Sequence, residues 1–237
     1  MKYILIAFAI LVIAYVGYEY VRTTRLARVG AKLVTEARPY IKAEGTQSML
    51  VLGDSTAVGV GASAGEFTVA GRLADALYAS VVNFAKSGAV TADLAGQLAH
   101  AERTHYDLML IQIGANDIIH FNSVDTTTRE LDDFLQTATE KSDHIVLLTG
   151  GRVGNAPFFP QLFGWLWTNH AARLRAGFMA TAAKYGVAYV DLFATPDPMG
   201  ADPARYYARD GLHLTNDGYG FWFSEVTKTI EKKWPDL

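Results

Sequence analysis

A chain of 237 residues has room for one domain with a real core and for little more. Half of it is apolar, which excludes a disordered chain, and a formal charge of −3 argues against a nucleic-acid binder, which would carry a basic excess. It contains no cysteine, so disulfides, cysteine nucleophiles and thiolate metal sites are excluded as well.

The first element differs in kind from the rest. Residues 3–18 are apolar or glycine without one charge, between Lys2 and Glu19. As a helix they extend about 24 Å, and with Tyr20 and Val21 they approach the length of a transmembrane helix. The next residues, 19–32, are bulky and basic and offer no small-x-small cleavage site. Residues 1–21 therefore read as an uncleaved, single-pass membrane anchor. Arg22, Arg25, Arg28 and Lys32 recur at spacings of three and four. On a continued helix they share a face that meets anionic headgroups or simply water. Residues 22–47 are expected to form a basic juxtamembrane segment, ending past Pro39 in a short linker over 42–47. The globular domain is expected over 48–237. Counting Lys and Arg on either side of the anchor puts that domain on the cytoplasmic side.

From Ser48 onward, short apolar runs alternate with helical patterns. Strands are predicted over 49–52, 81–84, 108–113, 145–148 and 187–192, each nearly continuous in apolar residues, as parallel strands covered on both faces are. Helices are predicted over 67–78, 91–102, 126–141, 168–185 and about 216–234. This alternation predicts a three-layer α/β/α sandwich with a five-stranded parallel sheet and right-handed crossovers. Ligands of such sheets bind outside the carboxyl ends of the strands. The first three strands end there in Gly53-Asp54-Ser55, Lys86-Ser87-Gly88 and Gly114-Ala115-Asn116-Asp117, and Asp210-Gly211-Leu212-His213 precedes the last helix.

Acyl transfer by serine needs a nucleophile, a base, a group to orient the base, and donors for the oxyanion. Ser55 comes directly after a buried strand, where a turn can present its hydroxyl at the sheet edge. His213 has an acidic partner, Asp210, three residues away in a glycine-containing turn. Asn116 offers a side-chain amide, and Gly88 and Ser55 offer backbone N–H groups. Each cluster alone could be an ordinary turn or cap; four in order along one sheet edge are harder to dismiss. Asp117 reads as loop-stabilising. His100, His105, His144 and His170 read as structural or exposed, and His120 as a residue that could line the cleft.

These blocks resemble those of the SGNH/GDSL hydrolases: Gly53-Asp54-Ser55 the GDS block, Gly88 the second-block glycine, residues 114–117 the G-x-N-D block and residues 210–213 the D-x-x-H block. Thr56 stands where the name-giving pattern has Leu. The resemblance covers about 48–234. It implies a flavodoxin-like sheet and hydrolysis of esters or thioesters without a metal or organic cofactor. It also implies Ser55, Asp210 and His213 as triad and Ser55, Gly88 and Asn116 as oxyanion hole. Because many relatives are exported, it points to the opposite side of the membrane from the charge count.

The expected function is a serine esterase or lipase acting on a small-molecule or lipid ester, tethered to a membrane and without a nucleic-acid partner. A carbohydrate O-deacetylase of the same family and a membrane-tethered binding protein without turnover are the alternatives. Residues 59–64 fit a loose dinucleotide fingerprint but start too far after the first strand, and read as a flexible loop. Residues 158–167 hold five aromatic residues and two leucines beside Pro and Gly. They are expected either to pack on the core under the following helix or to form a lid or acyl groove able to dip into an interface, with Phe163 and Trp165 touching substrate.

Overall fold

Strands form where the sequence is apolar towards both faces. In the computed structural model, which describes residues 1–194 and 196–236, β1 (Gln47–Gly53), β2 (Ala79–Asn83), β3 (Leu108–Gln112), β4 (Ile145–Leu148) and β5 (Ala188–Val190) form one sheet ordered β2-β1-β3-β4-β5. All pairings are parallel, and Val51 at the centre of β1 lies between Asn83 and Leu110. Successive side chains alternate between two cores: Leu50, Leu52, Met109 and Ile111 enter one, Met49, Val51, Leu108 and Leu110 the other.

In chain order the helices are α1 (Lys2–Glu36), α2 (Ser55–Val58), α3 (Val69–Ala76), α4 (Leu94–Leu98) and α5 (Ala115–Ile119). They continue with α6 (Val124–Ala138), α7 (Gly164–Lys184), α8 (Pro198–Ala201), α9 (Pro203–Tyr206) and α10 (Asn216–Lys233). α6 and α7 seal one face of the sheet with Leu131, Phe134, Leu174 and Phe178. α3 and α10 seal the other with Leu73, Tyr219, Trp222 and Val226. This is the predicted three-layer sandwich. The strand order reverses between β1 and β3, and the crevice of such a sheet opens there, outside the carboxyl ends.

Some elements differ from expectation for local reasons. The helix predicted over 91–102 breaks into a 3-10 turn, Thr91–Asp93, and the short α4. The Asp93 carboxylate turns back to accept the Val90 N–H, and Gly96 weakens the helix around it. β5 is shorter than predicted because Asp191 leaves the strand to pair with Arg175 and to accept the Ala194 N–H. α7 begins four residues early, at Gly164, and takes in residues 165–167 of the aromatic stretch.

α1 is one unbroken helix, and 2–14 are exposed all round. From Tyr15 onward one face lies on the domain: Tyr15, Glu19, Arg22, Leu26 and Leu33 are half-buried and Gly30 is buried, at helical spacing. Arg22 does not face outward with Arg25, Arg28 and Lys32 as its spacing suggests. It turns inward, donating through Nη1 to Pro157 O (2.6 Å) and through Nη2 to Phe158 O (3.1 Å), while Nε pairs with Glu19 (2.7 Å). The expected linker is also held. Lys42 pairs antiparallel with Val81 along the outer edge of β2.

A tight backbone approach lies at the carboxyl end of β1. Gly53 has φ +138, and a Cβ there would stand 2.0 Å from Gln112 O of β3. Gly53→Ala should therefore cost about 3 kcal/mol in backbone strain alone, lowering Tm by roughly 6–12 °C for a domain of this size. Thermal unfolding of the full-length protein in detergent would register the loss.

Candidate active site

The turn after β1 is fixed before any side chain chemistry enters. The Gln97 side-chain amide brackets the Gly53 peptide, accepting its N–H (2.7 Å) and donating to its carbonyl (2.9 Å). The Asp54 N–H then donates to Gln112 O (2.9 Å), so β1 stays zipped to β3 for one residue beyond the strand. The Asp54 carboxylate caps α2, accepting from Thr56 N (2.9 Å) and Thr56 Oγ1 (2.8 Å). Ser55, first residue of that short helix, is left facing the cleft.

His213 reaches Ser55 from the far side. Its Nε2 lies 3.0 Å from Ser55 Oγ, and its Nδ1 lies 2.5 Å from Asp210 Oδ2. The second carboxylate oxygen of Asp210 accepts the backbone N–H groups of Leu212 (3.1 Å) and His213 (3.0 Å). Gly211 makes this tight loop possible: its φ is +70, and a Cβ would strike Pro157 and the Phe158 nitrogen. The Phe158 N–H in turn donates to Gly211 O (2.9 Å).

Two carboxylates thus sit near one imidazole in opposite settings. Burial, with only Thr56 donating to it, pushes the Asp54 carboxyl up to about 6. Burial pushes the Asp210 carboxyl up as well. There the His213 hydrogen bond, the His213 charge and two backbone N–H groups together outweigh it and hold the group below its ordinary value.

The remaining predicted residues converge on the same cleft of about 250 Å³, whose lining includes Ser55, Gly88, Asn116 and His213. Gly88 has φ +85, a conformation that favours glycine. Among the described residues neither its N–H nor that of Ser55 has a protein acceptor. Asn116 Nδ2 spends one hydrogen on Ala89 O (2.9 Å) and keeps the other. Asp117 is buried and fastens loops: it accepts from Thr91 N (3.0 Å), Thr91 Oγ1 (2.9 Å) and Asn122 Nδ2 (2.9 Å).

Other expectations fall outside the cleft. His120 is not among the lining residues, and its neighbour Ile119 lines the cleft instead. Phe163 and Trp165 do not line it either, standing 47% and 58% exposed on the surface. Residues 59–64 are no loose loop around Val60, which is fully buried and accepts the Tyr219 hydroxyl (2.9 Å). Two residues of the expected juxtamembrane segment belong to the site. Val34 of α1 lines the cleft, and Gly30 lies against the Asp210 carboxylate, where a Cβ would stand 2.9 Å from Oδ2. Their only sequence signal is a small residue in phase with the apolar positions of the helix.

Comparison with known proteins bears on the fold and the family. No curated protein sequence matches. Among solved structures the chain is similar to an extracellular lipase from Streptomyces rimosus (18% identity, TM-score 0.60, 78% of this chain and 100% of that one). It is similar to phospholipase A1 from Streptomyces albidoflavus NA297 (21%, TM-score 0.63, 79% and 100%). It is also similar to an acetylxylan esterase from Geobacillus stearothermophilus (19%, TM-score 0.57, 80% and 96%). At these identities the likeness establishes the fold. The sequence profile of the GDSL-like lipase/acylhydrolase family matches residues 51–221, taking in all four blocks that meet at the cleft. The chain belongs to the GDSL-like lipase/acylhydrolase family, and is a hydrolase of ester bonds.

Proposed function

We propose that this chain is a membrane-anchored serine esterase acting on carboxylic esters with an apolar acyl chain, with Ser55 as nucleophile, His213 as general base and Asp210 as its orienting partner. The observation that carries this reading is the unbroken hydrogen-bonded line from Asp210 through His213 to Ser55, ending beside two unengaged N–H groups. In this mechanism Ser55 Oγ attacks the ester carbonyl carbon while its proton passes to His213 Nε2. Asp210, kept ionised by its donors, stabilises the imidazolium that forms. The oxyanion is received by the N–H groups of Ser55 and Gly88 and the free hydrogen of Asn116 Nδ2. Collapse breaks the C–O bond, and the leaving alcohol takes the proton from His213. Water then repeats the sequence on the acyl-enzyme and frees the acid.

The fold serves both ends of the ester range, since its neighbours include a phospholipase and an acetylxylan esterase. The cleft wall is mostly apolar and so favours the apolar end: Val34, Ile119, Val153, Leu192, Met199 and Trp222 offer an acyl chain contact, although Ser87, Arg152 and Asp197 also reach the lining. The anchoring half of the proposal rests on α1, whose apolar window has mean hydropathy 2.1 and is unburied.

Full-length protein in detergent should hydrolyse p-nitrophenyl octanoate with a higher kcat/KM than p-nitrophenyl acetate and react with a fluorophosphonate probe. Ser55→Ala should abolish both activities and the labelling; a mutant that still labels would move the nucleophile elsewhere. Asn116→Ala removes one oxyanion donor and is expected to cost about 2.7–4 kcal/mol. The loss should fall almost wholly on kcat, so a rise in KM alone would make Asn116 a substrate-binding residue. Gly30→Val should push α1 against the Asp210 carboxylate and loosen its bond to His213. A displacement near 1 Å can cost on the order of 100-fold in turnover. The expected signature is a lower kcat and an altered pH–rate profile with Tm little changed.

A further inference from the structure

α1 and the domain are locked at two heights along the helix, and those heights decide where the domain meets a bilayer. Arg22 marks one, through its bonds to Pro157 O and Phe158 O. Tyr15 marks the other, its ring 6.3 Å from that of Phe163. From Lys2 to Ala14, ahead of that contact, the helix is only about 20 Å long. A bilayer core is about 30 Å thick. To cross it, α1 must also submerge the stretch from Tyr15 to Val21, about 10 Å of helix that lies alongside the domain. Whatever is packed beside Tyr15 goes down with it.

The surface at that height is apolar and exposed. Leu162 (66%), Phe163 (47%), Trp165 (58%) and Leu166 (38%) stand in the loop before α7 and in its first turn. A contiguous patch of large apolar side chains is costly to leave in water and marks a contact surface. We infer that the rim formed by Leu162, Phe163, Trp165 and Leu166 is a second membrane contact, seated at the hydrocarbon–headgroup boundary of the bilayer that α1 crosses. Its aromatic members suit that depth, where Trp and Tyr are enriched. The rim is not the acyl groove. It is a keel that holds the domain down, and it belongs to the same segment as Val153 and Ala156 of the cleft wall. The cleft therefore stands next to the membrane surface, within reach of esters borne by lipids.

This inference rests on α1 being a membrane span, and the test separates the two. Because the chain has no cysteine, single cysteines can be introduced into the full-length protein and carry a nitroxide. The sites are Ala9→Cys in α1, Leu162→Cys and Trp165→Cys in the rim, and Glu140→Cys just after the end of α6. In phosphatidylcholine vesicles, electron paramagnetic resonance compares collisions with oxygen and with a water-soluble nickel chelate. Labels at 162 and 165 should be shallower than the label at 9, with nickel access between that at 9 and that at 140 and several-fold below the latter. A shielded label at 9 with labels at 162 and 165 as nickel-accessible as that at 140 would overturn the inference while leaving the anchor intact. Nickel access at 9 would overturn the anchor and this inference with it. Shielding at 162 and 165 accompanied by spin–spin broadening between labelled copies would make the rim an interface between two chains and overturn its assignment to lipid.

Discussion

The site depends on how closely β1 and β3 approach at their carboxyl ends. Only a residue without Cβ fits beside Gln112 O, so Gly53 is there, and the chain leaves the strand with its direction already set. Gln97 holds the same peptide from the other side. The next N–H is spent on β3 and the next carboxylate on capping α2, so Ser55 has little freedom left. The second and third blocks are bound to each other in the same way, by Asp117 accepting from Thr91 and by Asn116 donating to Ala89 O. The loops that carry Ser55, Gly88 and Asn116 are thus fixed mainly by hydrogen bonds between side chains and the backbone.

The electrostatics show why one carboxylate rather than the other is suited to orient His213. Asp54 and Asp210 are both deeply buried. Asp54 has a single residue, Thr56, donating to it, and burial dominates. Asp210 has the imidazole and two backbone N–H groups, and they prevail. An acid raised to about 6 in the folded state contributes most to stability at low pH, and its share declines as pH climbs from the ordinary carboxylate range through that value. Asp54 therefore lowers stability at neutral pH. Asp210 works in the opposite sense, its contribution present at neutral pH and lost on acidification.

Most of this is legible in the sequence because buried parallel strands print as apolar runs, and because glycine, serine and asparagine at strand ends, followed by histidine before the last helix, have few reasons to stand in that order. The docking of α1 is not legible. Arg22 finds its partners at Pro157 O and Phe158 O, carbonyl groups that any residues could supply, so nothing in the side chains at 157 and 158 announces the contact. In sequence Gly30 is one weak point in a helix, and its value emerges only once Asp210 stands beside it. Residues 158–167 are too apolar to be idle, and that much the sequence says. Their placement is hidden because a position after the fourth strand says which sheet edge a loop leaves from, not whether its rings turn into the cleft or away from it.

The continuity of α1 has a consequence for how such a chain can vary. A flexible tether tolerates insertions of any length, because it transmits neither torque nor height. A helix gripped at Tyr15, Arg22 and Gly30 has a phase. One residue added between the upper two grips would swing everything before it by about 100° and shift it by about 1.5 Å. Tyr15 would then point away from Phe163, and the rim would no longer face the side of the helix it lies against. Only changes near a whole number of turns, such as about seven or about eleven residues, would restore the azimuth to within roughly 20°, at the expense of about 10 Å or more in height. Length and rotation of this helix are thus gears in mesh with the domain, and neither can drift without the other.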